Sequence, residues 1–537
     1  MLRFRNVAKS ARAWVWPNLI TGLLCLPAQS LIAANCAIVH RPAFSEADTA
    51  FLAGDFSKAE ELYKTALASH PGQPDLAIGL VHSLLRQQRV LDAANEVQSL
   101  IGDTSASARL LTLRAEVELR QGEPWKAADT AVASAKLDPC NARTLLVLAR
   151  LAALNSRLAT ASKLLATAHQ MDPEDQEIRA EWIETLPANE RIQQLEDYLA
   201  SPRGDDSETL DSRRSELEEL KKWAEEPRAA CSMVSKTSTT TLPFTALRSF
   251  LGDATFPSVD VHVNDHRLRL SIDTSYNARL PIDGVSGLLI LRSTAEHLGL
   301  KPLFQNQVPG IGPQGPRDGY VAYADSISIG DLEFHNCAVQ VMDGVFWSDA
   351  DGAMSLNLLS DFLVTLDYPN HKLIVGPLPE PPANGPSNGP AERYIAPEMK
   401  DYIPVYRADT DLFLTVMVNK KYPMLFLINT AMGSSALSAE ASHEVADGHM
   451  DSKYEVRNTS GKVDTRFSGG DVNLAFAGLT KDITHIGSFD TARFTMDAGM
   501  DISGFLGNET LRDVTIHFDY RDGLVKLDFD SKHPGVR

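Results

Sequence analysis

Ser271–Ile290 reads SIDTSYNARLPIDGVSGLLI. An apolar strand ends at Asp273-Thr274, and a second apolar run, Leu288-Leu289-Ile290, follows only after a long polar stretch. Removing nine residues, Ser275 to Asp283, would join Asp273-Thr274 to Gly284-Val285-Ser286-Gly287 and leave DTGVSGLLI. That shortened form is a strand, a tight turn of small residues and a second strand. Whether the stretch is an intact turn, a damaged one or an ordinary loop after a strand depends on what surrounds it. Asp283, behind Pro281-Ile282, reads as a solvated turn residue.

The same element returns further on. FPSVDVHVNDHRLRLSID (256–273) and LFLTVMVNKKYPMLFLIN (412–429) both alternate with period two and carry an Asn just after the first strand, the pattern of a hairpin. DFLVTLDYPNHKLIV (361–375) matches LRDVTIHFDYRDGLVKL (511–527). Asp273 to Asp367 spans 94 residues and Asn429 to Asp519 spans 90, so the two copies are alike in length. PLPEPPANGPSNGP between them is too poor in apolar residues to fold and reads as a linker. The expected β-rich regions are 231–378 and 394–531, with the linker at 379–393 and a tandem duplication as their origin.

Upstream of Cys231 the texture is helical. Ala59, Ala93, Ala127 and Ala161 stand 34 residues apart, Gly54 and Gly122 fall in the turns, and Pro71, Pro139 and Pro173 end units of the same frame. GDFSKAEELYKTALASHP and QGEPWKAADTAVASAKLDP resemble the second helix of tetratricopeptide repeats. The resemblance implies an all-α solenoid over 43–205, closed by the pair DQEIRAEWIETL and NERIQQLEDYLA, with a groove for a protein partner. Residues 206–230 read as a helical linker.

Each β-rich copy has an apolar strand ending in a polar tripeptide, then a turn and a short helix. This resembles aspartic proteases of the retropepsin type, in particular bacterial ones that carry tetratricopeptide repeats, whose Asp-Thr-Gly motif DTGVSGLLI matches closely; the resemblance implies that Ser275 to Asp283 are nine residues inserted after the threonine. The resemblance implies two all-β domains of the acid protease fold, with Asp273-Thr274 and Asn429-Thr430 at the positions of the catalytic dyad. It also implies substrate-binding roles for Gly284, Ser286 and Ser434, and for Gly310, Gly312 and Gly315 in a flap. The second copy departs from the family pattern, since Leu427-Ile428-Asn429-Thr430-Ala431 stands where an apolar pair and Asp-Thr-Gly belong. The apolar-apolar-Gly element survives as Phe505-Leu506-Gly507 but becomes Ala353-Met354-Ser355 in the first copy.

Two close carboxylates share a proton and serve as base and acid, whereas an amide does neither. Asn429 therefore leaves Asp273 without a partner, and the insertion threatens the threonine contacts that hold such loops in register. The expectation is a degenerate protease that binds a peptide or protein. Two alternatives stand beside it: an active endopeptidase using Asp273 in a dimer or with another acid, and a non-catalytic assembly scaffold.

The chain's 70 acidic and 51 basic residues give a net charge of -19, which repels nucleic acid. Gly310–Gly315 fits GxGxxG but opens onto a strand, so no dinucleotide or other small-molecule cofactor is expected. His443 and His449 are six apart, not the four that a zinc helix needs, and no metal is expected. Basic residues followed by an uncharged run from Ala13 to Val39 predict a signal peptide over 1–34, cleaved before Ala37, with an uncleaved anchor as the competing reading. The protein is thus expected to be periplasmic or extracellular. Cys36, Cys140, Cys231 and Cys337 lie too far apart to suggest a disulfide framework, so stability is expected from cores. One bridge is compatible with export, its pairing left open.

Overall fold

The computed structural model describes residues 36–39, 45–71, 73–101, 107–225, 231–249, 255–276, 285–308, 317–344, 348–381, 392–445, 456–458, 461–463, 465–467, 470–491 and 498–529. The expected signal peptide, Asp283, Gly284, the three flap glycines and His449 lie outside them. The chain forms a helical unit and a β-rich unit.

In the helical unit, eleven helices run between Glu46 and Glu225 among the described residues. The 34-residue period has a packing cause: Ala59, Ala93 and Ala127 expose no surface and Ala161 only 5%. Only a methyl group fits where successive helices approach this closely. The turns obey the same period. Gly54, Gln88, Gly122 and Ser156 all take left-handed backbone, with φ of 77°, 59°, 71° and 55°. The residue after each donates its N–H five positions back, closing the preceding helix. Two of these turns carry no glycine, so composition alone concealed them. Side chains one repeat apart also meet: His82 bonds Glu116 at 2.8 Å and Arg143 bonds Glu177 at 2.7 Å, and Arg143 also bonds Glu116 at 2.7 Å. The helix Ser207–Glu225, expected as a linker, instead buries Leu217 and Leu220 with Ile183, Leu195 and Tyr198 and extends the array.

The β-rich unit has two lobes and a shared sheet. In the first lobe the strands Ser232–Met233, Leu332–Met342, Val285–Leu291, Gly352–Met354, His266–Ile272, Thr255–Val263, Arg317–Ile329 and Pro302–Val308 lie side by side. Leu332–Met342 also pairs with Arg317–Ile329, which closes the sheet on itself. The second lobe repeats the central arrangement with Ala436–Ser438, Gly504–Leu506, Tyr422–Ile428 and Asp411–Val418, without closure among the described residues. The shared six-stranded sheet runs Ile403–Pro404, Leu524–Phe529, Val514–Asp519, Phe362–Asp367, Lys372–Pro377 and Thr240–Pro243. Each half gives three strands in mirrored order, and they meet at Thr365–His517, where Thr365 Oγ1 and His517 Nδ1 lie 2.8 Å apart.

Two disulfides correct the expectation from cysteine spacing. Cys36–Cys140 fastens the N-terminal segment to the helical unit, and Cys231–Cys337 fastens the edge strand Ser232–Met233 to Leu332–Met342. The sequence separations of 104 and 106 residues show why spacing concealed them.

One turn of the shared sheet carries a buried acid pair. Asp519 and Asp522 are 0% and 1% exposed. Asp519 Oδ1 accepts the Asp522 N–H at 2.9 Å, and Asp522 accepts from Arg521 and from the Tyr394 N–H. The matching turn of the first half has Asn370 where Asp522 stands, so only one acid is present there. Burial, reinforced by the neighbouring Asp522 charge, pushes the Asp519 carboxyl from 3.8 up to about 7. The folded chain therefore keeps a proton that the unfolded chain releases, and stability falls as pH rises from about 4 to 7. Asp519→Asn is expected to remove that slope and to be more stable than the native chain at pH 8. Urea unfolding at several pH values checks this, and an unchanged slope would contradict it.

Candidate functional site

The site grows from two strands that end at the same junction. Ile272 pairs in parallel with Met354, and the Asp273 N–H then donates to the Met354 carbonyl at 2.9 Å. In the second lobe Ile428 pairs in parallel with Leu506, and the Asn429 N–H donates to the Leu506 carbonyl at 3.0 Å. A short strand wedged beside each apolar strand thus fixes where it stops and where the next side chain is presented.

The loops are locked together by their threonines. The Thr274 N–H donates to Thr430 Oγ1 and the Thr430 N–H to Thr274 Oγ1, both at 3.1 Å. Thr274 Oγ1 donates to the Ile428 carbonyl at 2.8 Å and Thr430 Oγ1 to the Ile272 carbonyl at 2.7 Å. Both threonines are buried. The expectation that the insertion would disturb this network is wrong, and the register explains why. Ile290 and Leu437 pair with Gly352 and Gly504, so 17 residues (290−273) do in the first lobe what 8 (437−429) do in the second. The difference is the nine residues read from sequence, but they enter later than the threonine. Ser275 N–H donates to Asp273 Oδ1 at 2.9 Å as Ala431 N–H donates to Asn429 Oδ1 at 2.8 Å. The Tyr276 and Met432 N–H groups reach back to the Asp273 and Asn429 carbonyls, both at 3.4 Å. Ser275 and Tyr276 therefore stand where Ala431 and Met432 stand, and the extra length follows Tyr276.

Thr274→Val tests the interlock. It leaves the Ile428 carbonyl and the Thr430 N–H buried and unpaired, a loss of about 2–4 kcal/mol of unfolding free energy. Denaturant titration measures it, and a loss under about 0.5 kcal/mol would show that the network adds little.

The glycine pattern is also explained. A side chain at Gly507 would meet the Ser434 carbonyl oxygen at 2.5 Å. Ser355 occupies the corresponding position of the first lobe, buried, with its N–H on the Gly287 carbonyl at 2.8 Å. Behind the second loop Asn508 bonds the Thr430 carbonyl at 2.5 Å and accepts the Tyr368 hydroxyl at 2.8 Å. Leu356 stands at that place in the first lobe, and the equivalent Tyr520 hydroxyl is buried without a partner among the described residues. The recurring Asp-Tyr of Asp367-Tyr368 and Asp519-Tyr520 was the sequence signal for these supports.

Asp273 and Asn429 occupy equivalent places at the junction, Asn429 4% exposed and Asp273 half-buried. Burial lifts the Asp273 carboxyl above the ordinary range, against the lowering effect of the Ser275 hydroxyl and N–H. The Tyr276 and Tyr520 hydroxyls are raised by burial, and the Asp273 charge adds to both. Ser286 lies on the strand after the insertion, and Ser434 is exposed on the loop after Asn429. His443 lies in the helix Ala439–Val445.

The chain matches the tetratricopeptide repeat family over residues 50–117 and the aspartyl protease family over 259–362. No curated protein matches it. Among solved structures, conglutin gamma, a basic 7S globulin from lupine seeds, is similar at 14% identity, covering 55% of this chain and 96% of that one with a TM-score of 0.30. A thermophilic TPR protein of Thermus thermophilus is similar at 20% identity, covering 30% of this chain and 90% of that one, with a TM-score of 0.25.

Proposed function

We propose that this chain, which joins tetratricopeptide repeats to an aspartyl protease-like domain, is a degenerate protease that binds a peptide or unfolded protein segment at the Asp273–Asn429 junction without cutting it. The observation that carries this reading is the intact threonine interlock around an unequal pair. The framework that holds a dyad is kept, and one member of the dyad is an amide. Tetratricopeptide repeats mediate protein–protein contacts, which adds a protein partner on the helical unit. The matching registers and turns of the two lobes support their origin by tandem duplication, with the second lobe as a second protease-like domain. Export is part of the proposal, supported by two disulfides that persist only in an oxidising compartment. The Cys36–Cys140 bond is compatible with cleavage only upstream of Cys36 and equally with an uncleaved anchor.

Asn429 of the same chain fills the place opposite Asp273, which argues against two chains pairing their Asp273 side chains. A hydrolytic reading with another acid rests on Asp411, whose charge, like that of Asp273, acts on the Tyr520 hydroxyl. Binding of fluorescein-labelled, reduced and carboxymethylated casein, followed by anisotropy, tests the proposal. Saturable binding is expected, and its absence would contradict it.

A further inference from the structure

The two side chains at the junction are oriented by their own loops. Asp273 Oδ1 takes both donors of Ser275, the N–H at 2.9 Å and the hydroxyl at 2.8 Å. A proton on this carboxyl therefore belongs on Oδ2, the oxygen that makes no hydrogen bond among the described residues. In Asn429 the Ala431 N–H holds Oδ1 at 2.8 Å, which fixes the amide so that Nδ2 is turned away from its loop. Nδ2 also has no acceptor among the described residues, although Asn429 is only 4% exposed. Each acceptor oxygen is thus consumed by the loop that carries it, and each outward atom is available as a donor.

A dyad of two carboxyls sharing one proton presents one donor and one acceptor, which suits water or a hydroxyl. The geometry points to a different specificity here: protonated Asp273 and Asn429 form a two-donor receptor that holds one carbonyl oxygen of an uncut peptide. This deepens the proposed binding function and rests on it. No bond is made or broken, and the ligand supplies both lone pairs. Ionised Asp273 would turn a negative charge toward that carbonyl, so affinity falls as pH rises through its raised pKa. Among the described residues, the titratable groups on which the Asp273 charge acts are Tyr276 on its own loop and Tyr520 on the adjoining turn, with Asp411 and Arg407 also acting on Tyr520. Both phenols are pushed upward and stay neutral throughout the window.

The test uses labelled, carboxymethylated casein with the full-length protein from pH 4 to 8. Affinity should weaken at least tenfold toward pH 8, about the effect of one lost hydrogen bond. Asp273→Asn, nearly identical in shape, supplies a donor at every pH and should bind equally well at pH 4 and 8. Asn429→Leu should weaken binding roughly tenfold at pH 4, and circular dichroism confirms that it is folded. Pepstatin, whose central hydroxyl needs an acceptor, should compete better at pH 8 than at pH 4. Casein binding with the native pH dependence kept in Asp273→Asn would overturn the two-donor receptor while leaving peptide binding intact. No casein binding by the native protein would overturn both.

Discussion

Asn429→Asp alone is expected to turn the protein into an acid-active endopeptidase. The threonine interlock already fixes both loops, and Ser275 and Ala431 already supply the N–H groups that a dyad's inner oxygens accept. Neither Ala431→Gly nor removal of the inserted residues is required. With a carboxyl at 429 the pair shares one proton, so one member activates water while the other donates to the leaving group. Turnover should exceed the background shared by the native chain and Asp273→Ala by about 10²–10⁴-fold, the usual contribution of a positioned acid–base group. Turnover of labelled casein should be highest below neutrality, where the pair holds its single proton, and should vanish when Asp273→Ala is added. A folded Asn429→Asp protein with no turnover would show that the extra residues after Tyr276 obstruct the cleft.

The second large effect is on stability. Replacing Cys231 and Cys337 by serine opens a closure of 106 residues, and restoring that chain entropy to the unfolded state is worth about 4–5 kcal/mol. Cys337 is fully buried, so the substituted hydroxyl adds to the loss. Guanidinium unfolding of the β-rich unit's tryptophan and circular dichroism signals checks the shift. A midpoint unchanged by the substitution would mean that the bridge is absent in the native protein.

Much of the architecture was legible because packing imposes periods. The 34-residue alanine spacing and the two matched hairpins each record a contact that recurs. The nine extra residues were countable, yet their position was misplaced: Gly284 looked like the dyad glycine, whereas the backbone gives that place to Ser275, which any residue with a free N–H can fill. The turns at Gln88 and Ser156 were hidden because left-handed backbone is tolerated there without glycine. Cysteine pairing was illegible, since partners more than 100 residues apart leave no local trace. Ser355 looked like damage because its glycine counterpart, Gly507, is constrained by a neighbouring loop that the first lobe builds differently.

The account stands most directly on the chemistry of the native pair. Purified native protein, incubated with labelled casein between pH 3 and 7, with and without pepstatin and beside Asp273→Ala, measures it. The account predicts no cleavage above the Asp273→Ala background at any pH. Pepstatin-sensitive cleavage that disappears in Asp273→Ala would contradict it and assign the missing acid to another residue, with Asp411 the first to substitute.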